Sequence, residues 1–106
     1  MVAVAKTDDL RRVLDDDGAV IAGAAVPNLS PADLQKLYRT MLLVRLLDER
    51  MLRLQRQGRL GFYMTSMGEE ATHLAVHALR PSDWIFPSYR EPGAAFLRGY
   101  SLSEFM

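Results

Sequence analysis

The stretch that opens on Ser30-Pro31-Ala32-Asp33 and closes on Gln57-Gly58 constrains this chain more than any other, because it reads as one uninterrupted helix. The Ser30 hydroxyl can accept a bond from the free amides of a first turn, and Asp33 can answer it from three residues on. Pro31 sits at the first helical position, where a missing N–H costs nothing. At the other end Gly58 supplies a left-handed stop, with Arg53, Arg56 and Arg59 near the negative end of the helix dipole. Leu34, Leu37, Tyr38, Met41 and Val44 recur at helical spacing and predict a core-facing stripe. Leu42, Leu43, Leu46 and Leu47 then widen the apolar surface around most of the circumference, and a helix apolar all round needs cover on several sides. A chain of 106 residues makes at most one domain with a thin core. The helix is therefore expected to pack on a surface outside these residues. Arg45 is spaced to pair with Asp48 or Glu49, and Glu49 with Arg53.

Charge and composition remove several classes of function. Lys and Arg number 13 and Asp and Glu also 13, so no net field favours nucleic acid, and a basic RNA-binding helix is a poor reading of the arginines. The chain has no cysteine, which excludes disulfides, thiolate metal sites and a thiol nucleophile. Its longest apolar runs, 19–27 and 41–44, are too short to cross a membrane. Asp8 and Asp9 argue against a targeting peptide, so a soluble cytoplasmic protein is expected. Residues 1–29 read as an arm in which an Asp-Gly step at Asp17-Gly18, between short apolar pieces, signals a hairpin turn. The three aspartates there lack the spread of oxygen ligands that a calcium loop needs. Residues 30–106 form the second unit.

Gly61, Phe62 and Tyr63 read as a short extended segment, and Ser66 with Glu69 as a second capping box. The helix so opened would bury Ala71, Leu74, Ala75, Ala78 and Leu79 and stop at Arg80-Pro81. His73 and His77 fall on its opposite face, one turn apart. Zinc would need a third protein ligand, and these are the chain's only histidines, so no metal site is expected and they read as surface or interface packing. Trp84, Ile85 and Phe86 read as a short strand covered on both faces, ended by Pro87. In an open α/β sheet, ligands sit beyond the carboxyl ends of strands, which places Tyr89 and Arg90 where an anion could be held. The same pair can equally be a ring against the core and a charge in water. Residues 93–97 predict a short helix, and Ser101 with Glu104 a third capping box close to the last residue, Met106.

Four ordered blocks carry a family resemblance: Leu54-Gln55-Arg56-Gln57-Gly58-Arg59, Phe62-Tyr63-Met64-Thr65, Gly68-Glu69-Glu70-Ala71, and Asp83-Trp84-Ile85-Phe86-Pro87-Ser88-Tyr89-Arg90-Glu91. Together they resemble the alpha subunit of the thiamin-diphosphate-dependent dehydrogenase component of 2-oxo acid dehydrogenase complexes, most nearly the branched-chain type. The resemblance spans nearly all of this chain but only the N-terminal portion of such a subunit. It implies an α/β, thiamin diphosphate-binding fold, mostly helical here with the one buried strand at Trp84–Phe86. It also implies an α2β2 tetramer with the cofactor between subunits, oxidative decarboxylation of a branched-chain 2-oxo acid, and acyl transfer to the lipoyl acyltransferase component. By the same resemblance Tyr89 and Arg90 contact the cofactor diphosphate and Phe62 lines the substrate pocket. Ser88 and Pro92 depart from the family's usual residues, and the proline is expected to affect the start of the next helix. The family's magnesium-holding block and its activating beta-subunit glutamate match nothing here, so no catalytic residue is assigned and these residues alone are expected to be inactive. A non-catalytic module that binds a beta-subunit-like partner is the alternative.

Overall fold

In the computed structural model, residues 11–106 are described; the start of the arm, with Asp8 and Asp9, lies outside them. Regular structure is helical: α1 spans Pro31–Arg56, a 3-10 helix spans Thr72–Ala78, α2 spans Pro92–Leu97 and α3 spans Leu102–Phe105. Within the arm, Leu14 and Val20 form one antiparallel bridge around the Asp15–Gly18 turn.

α1 is built from its ends inward as the residues dictate. Ser30 Oγ accepts from the Asp33 amide at 3.1 Å, and Asp33 accepts from the Ser30 amide at 3.3 Å, which satisfies two otherwise orphaned donors. At the far end the Arg59 amide bonds to the Leu54 carbonyl at 2.9 Å across Gly58, whose φ is 71°. The buried face is Leu37, Thr40, Val44, Leu47, Asp48 and Met51. It is rotated from the expected stripe, since Leu34 and Tyr38 are exposed and Asp48 is fully buried. Leu42, Leu43 and Leu46 are exposed, whereas Leu47 is in the core with Leu37, Val44, Met51 and Ala94. α2 packs on both α1 and the 3-10 helix, and α3 on α2. Arg53 lies 3.7 Å from Glu49 along the helix, but Arg45 reaches across to Glu70 instead of to Asp48 or Glu49. The radius of gyration is 17.2 Å, against about 13 Å for a compact domain of this length. The helices therefore spread over a small core and do not enclose a large one.

Two expectations are corrected. Residues 84–88 have no regular structure, and Trp84 and Phe86 are 85% and 90% exposed, stacked on each other at 6.5 Å. A strand needs neighbours to pair its amides and carbonyls, and the described residues contain no sheet to supply them. The buried strand is absent from the described residues for that reason. The second helix also fails to start at Ser66. Its amide is taken by Asp48, its hydroxyl has no partner among the described residues, and Gly68 turns left-handed at φ 91° where a first helical turn would run. What forms is the short 3-10 helix, in which Ala75 and Ala78 are exposed and His73 is buried, with the flanking Ala71 and Leu79 also exposed. Pro92 takes the first position of α2, so the helix begins one residue before the expected start.

Candidate functional site

The arrangement around Tyr89 and Arg90 starts at Asp48, an acid with no exposed surface on the core face of α1. A buried carboxylate must be hydrogen-bonded, and both oxygens are used. The Tyr63 hydroxyl donates to Oδ1 at 2.6 Å and the Ser66 amide to Oδ2 at 2.7 Å. Burial, with the Asp48 carboxylate beside it, pushes the Tyr63 hydroxyl's pKa up. The segment from Tyr63 to Ser66 is thereby fastened to α1. Successive side chains of an extended segment point to opposite sides. With Tyr63 turned inward, Phe62 stands 73% exposed.

Glu70 provides a second tie. It pairs with Arg45 of α1 and accepts from the Gly68 amide at 3.1 Å. The Arg45 guanidinium, aided by backbone donors, holds its carboxyl down at about 2. The third tie is His73, which is 2% exposed. Its Nε2 is 2.9 Å from the Arg90 carbonyl. Since a carbonyl only accepts, Nε2 carries the hydrogen. His77 points elsewhere, 3.9 Å from Asp33. The two histidines thus neither pair nor share a surface, and His73 belongs to the core.

These ties set the turn. The Arg90 side chain reaches the Thr65 carbonyl at 3.4 Å, and its guanidinium lies 5.6 Å from the centre of the Tyr89 ring. Ser88 donates its amide to Glu91 at 2.8 Å, which closes the turn before α2. No carboxylate is paired with Arg90 among the described residues, and Tyr89 is 73% exposed. The Tyr89-Arg90 turn and the Phe62–Ser66 segment are therefore joined through Arg90 and Thr65, although the two lie 25 residues apart. A phenol and a guanidinium side by side, both reachable from solvent, form a donor set for an oxyanion.

A 560 Å3 groove runs past Trp84, Ile85, Pro87, Ala95, Arg98 and Tyr100 and includes none of Phe62, Tyr89 and Arg90. No cluster of histidines and acids suited to a metal ion occurs among the described residues. Asp48 and His73, which position the turn and its neighbour, are not singled out by sequence patterning. An aspartate at helical spacing from Val44, Leu47 and Met51 is the one visible sign.

Comparisons with known proteins follow the same residues. The family described as Dehydrogenase E1 component matches residues 38–106. The chain is 45% identical over 95 residues to "2-oxoisovalerate dehydrogenase subunit alpha 2, mitochondrial" of Arabidopsis thaliana, covering 89% of this chain and 20% of that protein. It is 42% identical over 93 residues to "2-oxoisovalerate dehydrogenase subunit alpha, mitochondrial" of Dictyostelium discoideum, covering 87% and 21%. It is 45% identical over 92 residues to "Pyruvate dehydrogenase E1 component subunit alpha" of Bacillus cereus, covering 86% and 25%. The chain thus spans a fifth to a quarter of the length of these relatives. No solved structure matches it significantly.

Proposed function

This chain belongs to the dehydrogenase E1 component family, and from that we propose that it is the stretch of a branched-chain 2-oxo acid dehydrogenase alpha subunit that grips a cofactor diphosphate. The observation that carries the proposal is the Tyr89-Arg90 pair, an exposed phenol beside a half-buried guanidinium with no acid on the arginine among the described residues. A guanidinium held by a backbone carbonyl keeps its charge free for an anion, and this donor set fits one end of a diphosphate. Magnesium is a different matter, since the described residues place no acidic cluster for it. We assign these residues the phosphate oxygens and not the metal.

Thiamin diphosphate, when bound, supplies the nucleophilic carbon and electron sink for decarboxylating a 2-oxo acid. The part played by this chain is to hold and orient. Arg90 and Tyr89 donate to the diphosphate, and the exposed ring of Phe62 stands as a wall of the substrate pocket. The pocket is completed, on this reading, by an α/β domain and by a beta subunit in an α2β2 assembly that serves a lipoyl acyltransferase. The uncovered leucines of α1, Leu42, Leu43 and Leu46, support a need for such a neighbour. They equally favour the second reading, a non-catalytic module that docks on a beta-like subunit; turnover by the purified complex separates the two. Branched-chain substrates are the proposed class, supported by the relatives named for 2-oxoisovalerate; the Bacillus cereus relative is named for pyruvate at equal identity, and turnover of the two substrates by the purified complex separates them. The proposed location is the cytoplasm, and cell fractionation distinguishes it from the mitochondrial location in the names of the 2-oxoisovalerate relatives.

Arg90→Ala, in the full-length subunit assembled with its beta partner, is expected to weaken thiamin diphosphate by about 1.5–3 kcal/mol, the range for a hydrogen bond to a charged group. Unchanged affinity in a cofactor titration removes Arg90 from the site.

A further inference from the structure

We infer that His73 is the positioning residue for the Tyr89-Arg90 anion grip, setting the backbone of Arg90 by a buried hydrogen bond for which Gly93 leaves the space. The inference rests on the reading of Arg90 as a diphosphate ligand and adds to it a residue that touches no ligand itself.

Its basis is a close fit on two sides of one imidazole. Nε2 donates to the Arg90 carbonyl at 2.9 Å. The ring is 2% exposed, so this bond has little competition from water. On the other side the backbone of Gly93 comes so near that a Cβ there would lie 2.5 Å from Nδ1 and 2.8 Å from the histidine Cβ. Any side chain at 93 would push the ring off the carbonyl. Nδ1 has no hydrogen-bond partner among the described residues, so the ring's one polar link is the one to Arg90.

The consequence lies in the geometry of Arg90. Its carbonyl is fixed by His73 and its guanidinium by the Thr65 carbonyl at 3.4 Å, so the residue is held at both ends. Of the two bonds, the histidine's is shorter and better shielded. Pre-ordering an arginine with many rotamers lessens the entropy it loses on gripping an anion. Pro92, buried at the start of α2, keeps the following backbone in place against the ring. Loss of the histidine bond should thus appear as weaker cofactor binding, beyond any loss of core packing.

The test uses the full-length alpha subunit with its beta partner, titrated with thiamin diphosphate, and melted without it. His73→Leu fills the volume but removes the donor; His73→Gln can place an amide N–H near the Nε2 position. His73→Leu is expected to weaken the cofactor about five- to tenfold, as for one neutral hydrogen bond, with His73→Gln recovering most of it. Melting temperatures without cofactor report packing separately. Equal cofactor affinity in the two variants, or wild-type affinity in His73→Leu, overturns the inference. If His73→Leu does not fold, His73→Asn, whose amide falls short of the Nε2 position, replaces it in the comparison with His73→Gln, and equal affinity again overturns it. Arg90→Ala is run alongside. If it leaves affinity unchanged, the diphosphate reading itself has failed; if it weakens binding while the histidine variants do not differ, only the role of His73 has.

Discussion

α1 and the Tyr89-Arg90 turn are shaped by opposite means. Every decision that makes α1 a helix is taken within a few residues: Ser30 with Asp33 at its start, Gly58 at its end, and the apolar repeat between. The turn has one local bond, from Ser88 to Glu91, and two that come from 17 and 25 residues away, from His73 and to Thr65. The helix would be recognisable in isolation, whereas the turn exists only once the chain has folded back on itself. Local capping makes a robust scaffold. A site that must present an arginine at one angle draws its geometry from distant donors, whose side chains are then buried and whose spacing follows no repeat.

Asp48 joins the two regions, and removing it is the most severe way to break the contrast. Asp48→Ala leaves the buried Ser66 amide and the Tyr63 hydroxyl without an acceptor, which together should cost about 4 kcal/mol of stability. Urea unfolding measures it, and a loss below about 1 kcal/mol would mean that the 63–66 segment is not fastened through this acid. A smaller effect tests the buried face of α1 alone. Leu47→Ala is expected to cost about 3 kcal/mol, since Leu47 is 6% exposed. Leu46→Ala, on a side chain 53% exposed, should cost less than about 0.5 kcal/mol in the free chain. If the neighbouring leucines respond alike, the helix buries another face. Addition of the proposed beta subunit sharpens this pair, because Leu46→Ala should then weaken association.

The Arg45–Glu70 link tests the contrast through charge, with Arg45 44% exposed so that water screens part of the attraction. Its mark is a pH dependence. The Glu70 carboxyl is lowered in the fold from 4.5 to about 2 by Arg45 and backbone donors. Its contribution is therefore fully present above pH 4.5 and is lost as pH falls towards about 2. Melts of wild type and Glu70→Gln between these limits should converge as the solution is acidified. A constant offset across the window would show that the charge of Glu70 does not matter.

Sequence alone carried the long helix, its caps and the third capping box at Ser101, because those features depend on residues three or four apart. It also carried the family, through ordered blocks that need no structure to be seen, and with them Tyr89, Arg90 and Phe62 as site candidates. It misled at Ser66, where a capping pattern was overridden by Asp48 and Gly68, and at Trp84–Phe86, where a strand pattern has no sheet to join among the described residues. It also assigned His73 to a surface or an interface, whereas the residue is buried within the fold, because an imidazole on the polar side of an amphipathic pattern looks solvated. Only the tertiary structure decided which face of α1 is buried, that Arg45 turns to Glu70, and that His73 and Thr65 hold Arg90 from either end. The physical reason is the reach of the forces. Helix bonds and caps are satisfied within a turn of chain, whereas a buried polar group takes whichever donor or acceptor the folded chain brings to it.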